Sequence, residues 1–109
     1  MPVTAWVSIL HRFSGVLLFI SLPMLLMGME ALYESPASFD RLARWLAEPW
    51  TKILAFILLS AFIYHLAAGL RYLLFDLHIG TRRSMARRSA IAVLLATLVG
   101  TALVIFGTQ

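Results

Sequence analysis

The sequence predicts an all-α integral membrane protein with three transmembrane helices, from its composition, its charge spacing and the lengths of its apolar stretches. Of 109 residues, 61% are hydrophobic and only 13% charged, a balance far more apolar than soluble domains of this length carry. The charges are segregated. Arg12 and Glu30 enclose 17 uncharged residues, Lys52 and Arg71 enclose 18, and nothing after Arg88 is charged. Crossing ~30 Å of hydrocarbon takes about 20 helical residues, whose polar ends can snorkel, so each gap suffices for one span.

The first span is expected over about 8–32, with Pro23 as a kink tolerated where neighbouring helices satisfy the freed carbonyl. Glu30 and Glu34 follow it and no small-residue cleavage pattern precedes them, which reads as a retained anchor rather than a secretory signal peptide. Residues 35–49 set Phe39, Leu42 and Leu46 between charges, the pattern of an amphipathic helix at the outer membrane interface, anchored by Trp45 and Trp50. A second span is expected over about 50–76, a turn near Gly80, and a third span over about 84–106. These elements form a single membrane-anchor domain over 1–109, with no repeat or low-complexity segment. Polar residues on two of the spans need partners that three helices barely provide, which predicts a place in a hetero-oligomeric helix bundle.

The formal net charge of +4 does not point to nucleic acid, because Arg82, Arg83, Arg87 and Arg88 sit together between two spans. The stretch from Glu30 to Lys52 holds three basic and four acidic residues, and that from Arg71 to Arg88 holds five arginines and one aspartate. Positive residues stay inside, so the N-terminus and second loop are expected in the cytoplasm or matrix, and the first loop and C-terminus outside. With no cysteine, the chain can form no disulfide and supply no thiolate to an iron–sulfur cluster.

Two clusters can carry chemistry. His65 lies in an apolar stretch about 16 Å of helix rise from Asp76, with Gly69, Tyr72 and Asp76 near the same face. The missing side chain at Gly69 is expected to leave room beside the imidazole for a flat macrocycle. Two readings stand: a neutral histidine bonded to a neighbouring helix, or an axial ligand of haem iron. His11 and His78 are expected near the membrane edges, so a second axial ligand would come from another subunit. The other cluster is Ser8, His11 and Arg12, spaced i, i+3 and i+4 on one side of the first span, where hydroxyl, imidazole and guanidinium can converge on a carbonyl or carboxylate. Its plainer reading has Arg12 snorkelling to lipid phosphates and Ser8 capping the helix. Arg71 can meet a lipid or a haem propionate or add to the inside charge, and Asp76 can pair with a nearby arginine. No motif supports hydrolysis, phosphate binding, nucleophilic catalysis or nucleic-acid recognition.

SILHRFSGV (Ser8 to Val16) and YHLAAGLRYLLFD (Tyr64 to Asp76) resemble the cytochrome b556 membrane-anchor subunits of succinate dehydrogenase, respiratory complex II. The patterns are S-x-x-H-R-x-S-G and H-x-x-x-G-x-R with a late Asp; the third span matches by length alone. The resemblance implies that His65 is an axial ligand of a haem b, with the opposite ligand on a second small anchor subunit. It also implies that Ser8 and Arg12 help form the ubiquinone site beside the iron–sulfur subunit, that His11 and Arg12 lie near the haem propionates, and that FAD and iron–sulfur clusters belong to the flavoprotein and iron–sulfur partners. This chain alone would oxidise no succinate. Tyr72 stands where the family often carries His, and the arm before Ser8 is short, leaving no room for a transit peptide. A bacterial inner membrane is therefore expected ahead of a mitochondrial one. The alternatives are a fumarate reductase type anchor and a haem-free structural or transport subunit.

Overall fold

A computed structural model describes residues 2–107. Among these residues there are four helices and no strand: α1 Val3–Glu34, α2 Pro36–Leu46, α3 Pro49–Asp76 and α4 Arg83–Gly107. The three longer helices are each long and apolar enough to cross a membrane, as the charge spacing predicts.

Pro2, in extended conformation, precedes α1, which then runs unbroken through Pro23. Because α1 begins at Val3, Ser8 lies inside the helix and does not cap it. Ser35 is also extended and starts α2 with a reciprocal cap: its Oγ accepts the Ser38 N–H at 3.0 Å, and its own N–H donates to Ser38 Oγ at 3.1 Å. Pro36 occupies the first helical turn, where its missing N–H costs nothing. Ser38 Oγ donates to the Ala31 carbonyl at 2.8 Å, which folds α2 back onto α1. The Trp45 and Trp50 rings meet edge to face at 5.1 Å and join α2 to the start of α3.

The end of α3 turns sharply. His78 takes a left-handed conformation (φ 61°), its N–H donates to the Phe75 carbonyl, and the Ile79 N–H reaches the Leu74 carbonyl, both at 2.9 Å. This satisfies the last carbonyls as a Schellman cap does, with His where glycine is usual. Gly80 (φ 72°) completes the turn into α4.

Where α1, α3 and α4 meet, Val7, Ala68 and Ala90 are wholly buried, with Tyr64 and Val93 close to it. Small residues at the seams let the backbones approach, the usual means of packing helices where lipid removes the hydrophobic drive. A Cβ at Gly100 would stand 3.3 Å from Ile63 Cγ2, so α4 lies tight against α3 there. The large apolar side chains point outward: Phe19 is 74% exposed, Leu98 68% and Phe106 73%. That inverted distribution suits a lipid or partner-helix surrounding.

Candidate functional site

The site forms where α1 and α3 pass each other in opposite directions. His65 sits beside Tyr64, whose hydroxyl donates to the Val7 carbonyl at 2.6 Å and pins α3 to α1. One turn further along α1, the His11 carbonyl stands 3.3 Å from His65 Nδ1, and Ser14 Oγ is 3.0 Å from the same nitrogen. Ser14 Oγ also donates to the His11 carbonyl at 2.9 Å. Among the described residues, every hydrogen-bonding contact of the His65 ring falls on Nδ1, and Nε2 is unengaged.

The His11 ring lies flat on the His65 ring, with centroids 4.3 Å apart and planes 7° from parallel. This corrects the depth expected for His11. It stands about 12 Å of rise from the start of α1, and His65 about 16 Å from the end of the antiparallel α3, so both imidazoles reach one level. At Gly69 a Cβ would meet only His11 Nε2, at 3.9 Å, an ordinary contact, so its nearest side chain is His11 rather than His65. The glycine that makes room for His65 is Gly15, where a Cβ would come within 3.1 Å of His65 Cε1.

The remaining predicted residues separate. Tyr72 borders the pair, its ring 5.1 Å from that of His11. Ser8 is half-buried on α1 and, among the described residues, makes no hydrogen bond within the chain, whereas Arg12 is exposed. The expected convergence of Ser8, His11 and Arg12 is thus split: His11 turns into the α1–α3 seam and Arg12 stays out. Asp76 is exposed and forms no ion pair among the described residues.

Arg71 is buried and directed at α4. Its Nε donates to Ser89 Oγ at 3.0 Å and an Nη to the Ala86 carbonyl at 3.3 Å, and the guanidinium carbon lies 4.5 Å from the Phe75 ring centroid. The guanidinium thereby clasps the α3–α4 hairpin. Arg71→Leu should destabilise the subunit by about 2–3 kcal/mol, the scale of lost charge-assisted hydrogen bonds, and Arg71→Lys should recover only part, because an ammonium lacks the planar fork. Thermal unfolding in detergent checks this.

Sequence reasoning gave no role to Ser14 or Gly15. Both lie within the quoted S-x-x-H-R-x-S-G pattern, and Ser14 follows His11 by three residues, so spacing places them beside the pair. Their contact with a residue 51 positions away was not readable from that spacing.

A family model described as "Succinate dehydrogenase/Fumarate reductase transmembrane subunit" matches residues 1–104. The chain belongs to that family. The resemblance carried by SILHRFSGV and YHLAAGLRYLLFD therefore holds over almost the whole length. The succinate dehydrogenase cytochrome b556 subunit of Coxiella burnetii (strain RSA 493 / Nine Mile phase I) is 34% identical over 99 residues, covering 90% of this chain and 79% of that protein. That of Paracoccus denitrificans is 32% identical over 103 residues, covering 91% and 76%.

The name of those relatives implies haem b in them, and the donor set of this succinate dehydrogenase/fumarate reductase subunit suits such a group. Among the described residues no three His, Cys, Asp or Glu side chains gather as a chelating cluster, so a bare ion would find few ligands. An iron macrocycle brings four of its own and asks the protein for an axial imidazole. His65 offers one, with Nδ1 held by α1 and Nε2 unengaged.

Proposed function

We propose that this chain is the haem b-binding membrane anchor of a bacterial succinate dehydrogenase, holding the catalytic subunits at the inner membrane and helping to form the site where electrons from succinate reach ubiquinone. The observation that carries the reading is the His65 imidazole, fixed through Nδ1 with Nε2 unengaged among the described residues, in a chain that belongs to this family. When bound, haem b supplies a one-electron store beside the quinone. In this reading His65 is one axial ligand and the second small anchor subunit provides the other; FAD and iron–sulfur clusters reside on the flavoprotein and iron–sulfur partners.

The residues of this chain act by binding and by fixed charge. Ser8, with no hydrogen bond inside the chain among the described residues, donates to a quinone carbonyl oxygen. Arg12, exposed on the same helix, holds positive charge where negative charge develops on the quinone during reduction. His11, which stands against the His65 face, and Arg12 would serve the propionates when the group is bound. Arg71 supports the site by keeping α4 on α3, and its N–H donors beyond those given to Ser89 and Ala86 are what it offers an anionic group. The four arginines from Arg82 to Arg88 lie on the cytoplasmic side, which places the N-terminus inside and the C-terminus outside.

The test is a reduced-minus-oxidised spectrum of the detergent-purified complex. A b-type haem signal that succinate itself reduces is expected. A complex that oxidises succinate but shows no haem absorbance would overturn the haem assignment and favour a haem-free scaffold. Slow haem reduction by succinate together with fast fumarate reduction by a low-potential quinol would favour a fumarate reductase type anchor.

A further inference from the structure

One arrangement of hydrogens satisfies all three contacts among His11, Ser14 and His65. A carbonyl oxygen only accepts, so the hydroxyl hydrogen of Ser14 points to the His11 carbonyl at 2.9 Å and leaves a lone pair of Oγ for His65 Nδ1 at 3.0 Å. The other neighbour of Nδ1 is that same carbonyl, at 3.3 Å. In that arrangement both neighbours of Nδ1 are acceptors, and all three contacts are hydrogen bonds with the hydrogen on Nδ1. The opposite tautomer would set the Nδ1 lone pair against a carbonyl oxygen and require Ser14 to abandon His11.

We infer that Ser14 is a positioning residue that locks His65 in the Nδ1–H tautomer, leaves its Nε2 lone pair free to bind and strengthens that nitrogen as a donor. This inference rests on the proposed role of His65 as an axial ligand. A hydrogen bond from the distal ring nitrogen to an oxygen acceptor fixes the orientation of a ligating imidazole and strengthens it as a donor. Ser14 suits this role because it is 4% exposed, so water does not compete for its hydroxyl, and because its own hydrogen is committed to the helix it sits on. Gly15 adds the steric half of the lock, its absent Cβ admitting Cε1 of the same ring at a distance that a side chain would crowd. A stronger donor favours the ferric state, so the Ser14 contact holds the midpoint potential of the haem down.

Redox titration of the assembled complex, read optically, tests this in wild type, Ser14→Ala, Ser14→Thr and His65→Ala. Ser14→Ala should keep haem but shift the ferric-to-ferrous ratio at a fixed potential about tenfold towards ferrous, equal to about 59 mV for one electron. Ser14→Thr, which retains the hydroxyl, should restore most of the shift. An unchanged potential in Ser14→Ala, with haem lost in His65→Ala, would overturn the role of Ser14 alone. Full haem retention in His65→Ala would overturn the ligand reading beneath it. Should Ser14→Ala fail to assemble, nitrogen-15 NMR of histidine-labelled wild-type complex stripped of haem decides: a protonated Nδ1 at His65 is expected, and a protonated Nε2 with bare Nδ1 would refute the lock.

Discussion

His65→Ala is expected to leave the assembled complex without b-type haem while dye-linked succinate oxidation persists. An axial imidazole is a direct bond to iron that a methyl group cannot make. The nearest substitute is His11, stacked on His65 at 4.3 Å. Its Nε2 lies towards Gly69 on α3, and neither Ser14 nor its own carbonyl can hold its ring as they hold His65. The loss should therefore be near complete, read as the pyridine haemochrome absorbance per flavin. His11→Ala should keep the haem and change its spectrum, because that ring covers the face of the ligand and makes no Nδ1 bond to it. A full haem complement in His65→Ala would remove His65 from the site.

Arg12→Leu should lower ubiquinone reduction by about 10²-fold, the scale seen when one preorganised charge or donor is removed from a developing anion, with dye reduction by succinate unchanged. The guanidinium is exposed on α1 and makes no ion pair among the described residues, so its removal should leave the fold intact. Arg12→Lys should retain part of the rate by keeping the charge without the planar donor fork. Ser8→Ala should cost less, about tenfold, since a neutral hydroxyl bond is roughly half as strong as a charge-assisted one. Steady-state assays with a short-chain ubiquinone beside an artificial dye separate these effects from assembly, and equal quinone turnover in Arg12→Leu would exclude Arg12.

The two clusters differ in how far the sequence showed them. His65 stood out because an imidazole in an apolar span is costly without a partner, and that cost is visible in one dimension. Arg71 stood out for the same reason, but its partners, Ser89 and Ala86, lie on the next helix, and spacing along α3 says nothing about them. The helical period grouped Ser8, His11 and Arg12 correctly on α1, yet could not reveal that His11 would leave that group to stack against α3. Depth was misjudged for a related reason. His11 was expected near the membrane edge, whereas α1 continues to Val3, beyond the polar start at Ser8, and its ring stacks on that of His65.

Hydropathy and charge spacing along the chain were enough for the all-helical class, the three apolar spans and the family motifs, because a bilayer demands about 20 apolar residues per helix and that demand is local. The pairing of helices is not local. Which glycine admits His65, which hydroxyl orients it and where Arg71 points depend on the axial offset of α1, α3 and α4, set by contacts among Val7, Tyr64, Ala68 and Ala90. Small side chains at those seams allow many offsets in sequence terms, and the close packing of the folded bundle selects one.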